Sequence, residues 1–117
     1  MMRTSIALVV KYVLTFIAAF IAFDVLLNND MSWIIFLALA GTVLNYLIGD
    51  LLVLPSMGNL FASIGDGFLA GLTAYILDLL VPEFTTTWTT LLWFGILVAV
   101  GEFFFHMYLK RDEKVAP

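Results

Sequence analysis

Six residues that can carry charge or hydrogen-bond strongly interrupt otherwise apolar stretches: Lys11, Asn45, Asp50, Asp66, Glu102 and His106. Carboxyl, ammonium and imidazole groups are the ones that exchange protons and hold small cations. Their surroundings make them a candidate site. An ionisable group inside a membrane is costly, and a functional role is the default hypothesis for it.

Composition puts them in a membrane. Of 117 residues, 63% are hydrophobic and 12% charged, with a mean hydropathy of +1.09. A soluble domain carries about 25% charged residues, and one this small could not bury so much apolar surface. A span needs about 20 mostly apolar residues. Four stretches qualify, at about 5–27, 31–54, 59–80 and 86–109. They use nearly the whole chain, which reads as one domain, 1–117: an all-α integral membrane protein with its four helices in an antiparallel bundle. The lipid bilayer is its expected surrounding. The net charge of −4 includes acids within the spans, so it points to no charged partner, and no nucleic-acid partner is expected. With no cysteine, neither a disulfide nor thiol chemistry is available. The first stretch follows Arg3, as a signal peptide would. But it is too long, Lys11 interrupts it, and no clear cleavage site follows. A retained span is expected.

Lysine and arginine sit only near the ends, at Arg3, Lys11, Lys110, Arg111 and Lys114, and none occupies a connection. The positive-inside rule then places both termini in the cytoplasm, which an even number of spans satisfies. Trp33 and Trp88 suit the outer interface, Tyr12 and Tyr108 the inner one. The connections 28–30, 55–58 and 81–85 are short, so successive helices must be neighbours. Asn59 suits the N-cap of the third helix, and 110–114 reads as a solvated tail.

At 1.5 Å per residue, Lys11 lies roughly 9–10 Å from the cytoplasmic end of its helix. Asn45, Asp50, Asp66, Glu102 and His106 fall in the same inner half. Only Asp24 and Asp78 lie in the outer half, near helix ends. The polar residues also share faces with small ones. The stripes are Ala7-Lys11-Thr15-Ala18-Ala22, Ala38-Thr42-Asn45-Gly49 with Asp50 just off the line, Asn59-Ser63-Asp66-Ala70-Thr73, and Gly95-Ala99-Glu102-His106. Such stripes mark helix–helix interfaces in lipid. Ser63, Gly67, Gly71, Gly95 and Ala99 are therefore the expected packing positions.

One charge at mid-span costs about 2.5–3.5 kcal/mol. Four unpaired charges would cost on the order of 10 kcal/mol, as much as a domain's whole stability. They must be paired, neutralised or hydrated. Lys11 can serve one acid, which leaves two, so at least one carboxyl is expected to hold a proton near neutral pH. Three readings stand open: a buried network that fixes helix register, a proton or small-cation site of a transporter or channel, and an accessory protein docking through its glycine-rich faces. Glu102 and His106, at i and i+4, can form an aqueous-facing, pH-sensitive pair. With one histidine and no cysteine, no metal centre of the zinc or di-metal kind is expected. No nucleophile–base set and no phosphate loop is visible. No enzyme activity and no cofactor is expected.

The segment Asn45-Tyr46-Leu47-Ile48-Gly49-Asp50-Leu51-Leu52-Val53-Leu54-Pro55-Ser56-Met57-Gly58-Asn59, followed by Ala62 and Asp66, resembles the hallmark of the YndM-like family. These are uncharacterised four-helix membrane proteins of Bacillus-type bacteria (domain of unknown function 2512). The resemblance spans essentially the whole chain. It implies a multi-pass protein of the bacterial plasma membrane with four helices, and it places Gly49, Asp50, Pro55, Gly58, Asn59 and Asp66 in the family's motif. It brings no biochemical function. By analogy with other small four-span proteins, a homo-oligomer, a dimer before others, is expected. The cation-site reading takes Asp66 and Glu102 as principal carboxylates and Lys11 as their counter-ion. Asn45, Asp50 and Asn59 would support them. A proton or a monovalent cation would be the bound species.

Overall fold

The computed structural model describes residues 4–115. Helix α1 runs Thr4–Ala19 and continues as a π-helical turn over Phe20–Val25. Helix α2 runs Met31–Leu44 and continues as a π-helix over Asn45–Val53. Helices α3, Leu54–Leu80, and α4, Trp88–Val115, complete the chain. Four segments are long and apolar enough to cross a membrane: Ser5–Val25, Met31–Val53, Ser56–Leu80 and Trp88–Tyr108. The bundle measures 48 × 23 × 21 Å. Large apolar side chains such as Val9, Leu52, Phe61, Phe68 and Leu79 stand on its surface, each more than half exposed. That is unfavourable against water and ordinary against lipid tails.

Local chemistry explains the boundaries. Asn28 ends α1 in the left-handed region, φ 58°, a role asparagine fills at helix ends. Asp30 caps α2, accepting from Ser32 N at 3.2 Å and from the Ser32 hydroxyl. The fourth helix begins at 88 rather than 86 because Thr87 and Thr90 cap it reciprocally. Thr90 N donates to Thr87 Oγ1 at 3.1 Å and Thr87 N donates to Thr90 Oγ1 at 2.9 Å, the pattern of a capping box. Thr86 is held outside the helix by Asp78, which accepts from its N and Oγ1.

Three features depart from the sequence reading. First, 55–58 is not a free loop. Leu54 starts α3, Pro55 lies in its first turn, where a missing N–H does no harm, and the bend is taken at Gly58 alone, φ 85°. Second, α4 continues through Val115, so residues 110–114 prolong the helix instead of leaving it as a tail. Third, α2 does not stay α-helical to its end. It widens, and Leu54 N donates to Gly49 O, five residues back. Arg3 lies outside the described residues.

At the end holding the 28–30 and 81–87 connections, Phe23 meets Phe84 and Phe94 edge-on, ring centroids 5.4 and 5.1 Å apart. Beside them Asn29 ties the two connections together. Its Nδ2 donates to Phe23 O and Thr85 O at 3.0 and 2.9 Å, and its Oδ1 accepts from Thr85 N at 2.9 Å. The α3–α4 contact is the most extensive in the bundle. At its centre, a Cβ on Gly67 would overlap the carbonyl of Gly95 and come within 3.0 Å of the Ala99 Cβ. The glycines of that face are thus used within the chain, where they let two backbones touch.

Candidate functional site

All four helices send side chains to one buried cluster. Lys11 comes from α1, Asp50 from the π-helical end of α2, Asn59, Ser63 and Asp66 from α3, and Glu102 and His106 from α4. Lys11, Glu102 and His106 are 0% exposed, Asp66 1% and Asp50 8%. In a π-helix one more residue fits each turn, so Asn45 and Asp50, five apart, both turn inward. That is why Asp50, just off the α-helical stripe, joins the cluster. Such widened turns recur at functional sites.

The Lys11 ammonium lies 2.7 Å from both oxygens of Glu102 and 3.0 Å from Asp50 Oδ2. It also stands over the Phe105 ring, 5.1 Å from the centroid, within cation–π range. Lys11 therefore serves Glu102 and Asp50. The expected pairing with Asp66 is replaced by His106, whose Nε2 lies 3.2 Å from Asp66 Oδ2. The same nitrogen is 3.0 Å from Asp50 Oδ1 and 3.4 Å from Glu102 Oε2. Nε2 thus faces one oxygen from each of three carboxylates. Asp66 Oδ2 misses hydrogen-bond geometry and has no hydrogen-bond partner. One N–H cannot serve three acceptors.

The far side of the ring is fixed by Asn59. Its Nδ2 donates to Phe103 O at 3.0 Å, which orients the carboxamide and leaves Oδ1 pointing at the ring. Oδ1 accepts from Ser63 Oγ at 3.0 Å and stands 2.9 Å from His106 Nδ1. An oxygen has no proton to give, so Nδ1 carries the hydrogen and donates. Asn59 thus spends its side chain on the site and not on a helix cap. Ser63, expected only to pack helices, reaches His106 Nδ1 at 3.2 Å. Its spacing from Asn59 on one face was the available signal, but the partner lies on another helix.

The remaining expectations divide. Asn45 is 0% exposed, yet neither atom of its carboxamide finds a partner, so no hydrogen bond joins it to the cluster. The Glu102–His106 pair is buried instead of facing water. Asp50 and Asp66 join the Glu102–His106 pair through tertiary structure, and one ligand atom from each of the four residues lies within 4.8 Å of the others. A count of histidines does not register the carboxylates that α2 and α3 bring to His106. Gly67, Gly71, Gly95 and Ala99 line the seam between α3 and α4, and an apolar groove of about 780 Å³ runs along its outer side.

Fold and cluster together define a multi-pass membrane protein with a buried ionic site. Residues 2–116 match the family described as "Protein of unknown function (DUF2512)", and the chain belongs to that family. It is also 32% identical over 113 residues to the "Uncharacterized membrane protein YndM" of Bacillus subtilis (strain 168), an alignment covering 95% of this chain. The chain spans 63% of that relative's length. No solved structure matches it.

Proposed function

We propose that the cluster is an intramembrane site for a proton or small cation, reached from the cytoplasmic side, in a small transporter or channel of the bacterial plasma membrane. The observation that carries this reading is the convergence of three buried carboxylates on one imidazole with a single ammonium beside them. Once those carboxylates are ionised, the pocket lacks positive charge, and buried ions must be paired. Access falls to Asp50, the most exposed of the three carboxylates. This reading takes both termini as cytoplasmic, the helices as antiparallel and the working unit as a homo-oligomer.

A second reading, in which the network only stabilises the bundle, is favoured by the fully buried Lys11–Glu102 pair. Catalysis is not part of the proposal. Ser63, His106 and Asp50 have the outline of a nucleophile, base and orienting acid. But Ser63 is 3% exposed, and the peptide N–H groups around it belong to the α3 ladder, so none is free to form an oxyanion hole.

Flux in proteoliposomes tests the reading. Proton or alkali-cation flux through the wild-type chain that disappears in Asp66→Asn, with the variant still folded, is expected. Well-folded, oriented protein that carries no ion would select the structural reading.

A further inference from the structure

We propose that His106 Nε2 and one carboxylate oxygen each from Asp50, Asp66 and Glu102 form a site for a divalent first-row transition-metal ion. This deepens the cation-site reading and rests on it. An acidic cluster alone would not suffice. Three observations go beyond it.

The first is the direction of the imidazole. Asn59, locked by its bond to Phe103 O, accepts the Nδ1 hydrogen. In the neutral ring Nε2 is then a lone pair, and it points at three carboxylate oxygens 3.0, 3.2 and 3.4 Å away. A lone pair facing three anionic oxygens is repulsive unless something positive lies between them; a proton on Nε2 serves one of the three, a metal ion all of them. Metal-bound histidines are oriented in this way, their other ring N–H given to an oxygen. Ligand bonds of about 2.0–2.2 Å place neighbouring tetrahedral ligand atoms about 3.3–3.6 Å apart; the three Nε2–oxygen distances lie at or just below that spacing, and all four ligand atoms fall within 4.8 Å of one another.

The second is Asp66 Oδ2, in a residue 1% exposed, without a hydrogen-bond partner and aimed at the same nitrogen. The backbone makes room for it: a Cβ on Gly49 would overlap the Asp66 carboxylate.

The third is charge. One ammonium against three ionised carboxylates leaves two negative charges, which a dication cancels and a monovalent ion does not. Lys11 does not occupy the site. It bonds both oxygens of Glu102, including the Oε2 that faces His106, and holds that carboxylate as an outer-shell partner does. The imidazole selects the ion class. Nitrogen ligands favour Mn2+, Fe2+, Co2+ or Zn2+ over Mg2+ and Ca2+, and the absence of thiolate makes Cu+ a poor fit.

The test uses Co2+ on the full chain, produced without a polyhistidine tag and purified in detergent. Expected are one Co2+ per chain with visible d–d bands, displacement by Zn2+ but not by Mg2+ or Ca2+, and loss of the bands in Asp66→Asn and His106→Gln. Should those variants fail to fold, pulsed EPR of Mn2+ on the wild-type chain still decides. His106 is the single histidine, so an imidazole nitrogen coupling assigns the ligand without mutagenesis. Folded wild-type protein that binds no Co2+, or binds Mn2+ without nitrogen coupling, overturns the proposal. Asp66-dependent proton or alkali-cation flux in that same protein would leave the broader cation-site reading standing. Neither binding nor flux would remove both.

Discussion

Gly49 of α2 and the carboxylate of Asp66 in α3 occupy adjoining space so tightly that a single added methyl would collide with Asp66 Oδ1. The contact exists because α2 is π-helical there and turns Gly49 and Asp50 inward together. Gly49→Ala must therefore displace the acid or separate the helices. Forcing a methyl into a packed interior costs about 1–3 kcal/mol. The expected outcome is a lowered midpoint in detergent unfolding together with loss of ion binding. A Gly49→Ala protein with wild-type stability and binding would mean that the acid has room to move.

Lys11 and Glu102 lie 91 residues apart in sequence and 2.7 Å apart in space. Both are fully buried, so removing one partner strands a charge. Breaking such a pair costs about 3–5 kcal/mol, whereas replacing both partners with apolar residues is often close to neutral. Lys11→Met alone should destabilise strongly, and Lys11→Met with Glu102→Met should recover part of the loss. Recovery stays partial because Asp50 also loses its ammonium contact at 3.0 Å. Unfolding of the two variants in detergent measures the difference. Equal losses would show that Glu102 is not the dominant partner.

Much of this was legible in the sequence, and what was not has a common cause. Span number follows from apolar length, and the inward stripes carrying Lys11, Thr15, Asp66 and Glu102 follow from helical periodicity. All four residues are buried. Pairing was legible only in part. Periodicity assigns a face but not the helix opposite: of the two acids expected beside Lys11, Glu102 is there and Asp66 is not, its place being taken by Asp50. Asp50 itself needed the widened turn, which no residue type announces. Asn59 has the sequence signature of a cap, and only the approach of His106 from α4 draws its carboxamide into the cluster.

Asn29 offers a control far from the cluster. It joins two connections through Phe23 O, Thr85 O and Thr85 N, beside the Phe23–Phe84–Phe94 group. Asn29→Ala leaves backbone groups without partners, at about 1–3 kcal/mol each where they remain buried. Stability should fall while Co2+ binding per folded chain and any ion flux stay at wild-type levels. Loss of binding in this variant would tie the site to global packing instead of to its ligands.

Asn59 separates positioning from ligation, because its side chain bonds His106 Nδ1, Ser63 Oγ and Phe103 O and none of the three carboxylates. Asn59→Ala removes the acceptor for the Nδ1 hydrogen and frees the ring to turn. Asn59→Asp keeps an oxygen in that place, gives up the bond to Phe103 O and adds a negative charge that favours a bound cation. Loss of an outer-shell partner typically lowers metal affinity roughly 10–100-fold. The expected order of Co2+ affinity is therefore Asn59→Asp at or above wild-type, with Asn59→Ala below wild-type by that factor. A purely structural asparagine would give another pattern: both variants would lose the Phe103 bond, fall in stability alike and bind Co2+ equally. Competition titration against a chelator, with unfolding midpoints recorded on the same samples, distinguishes the two.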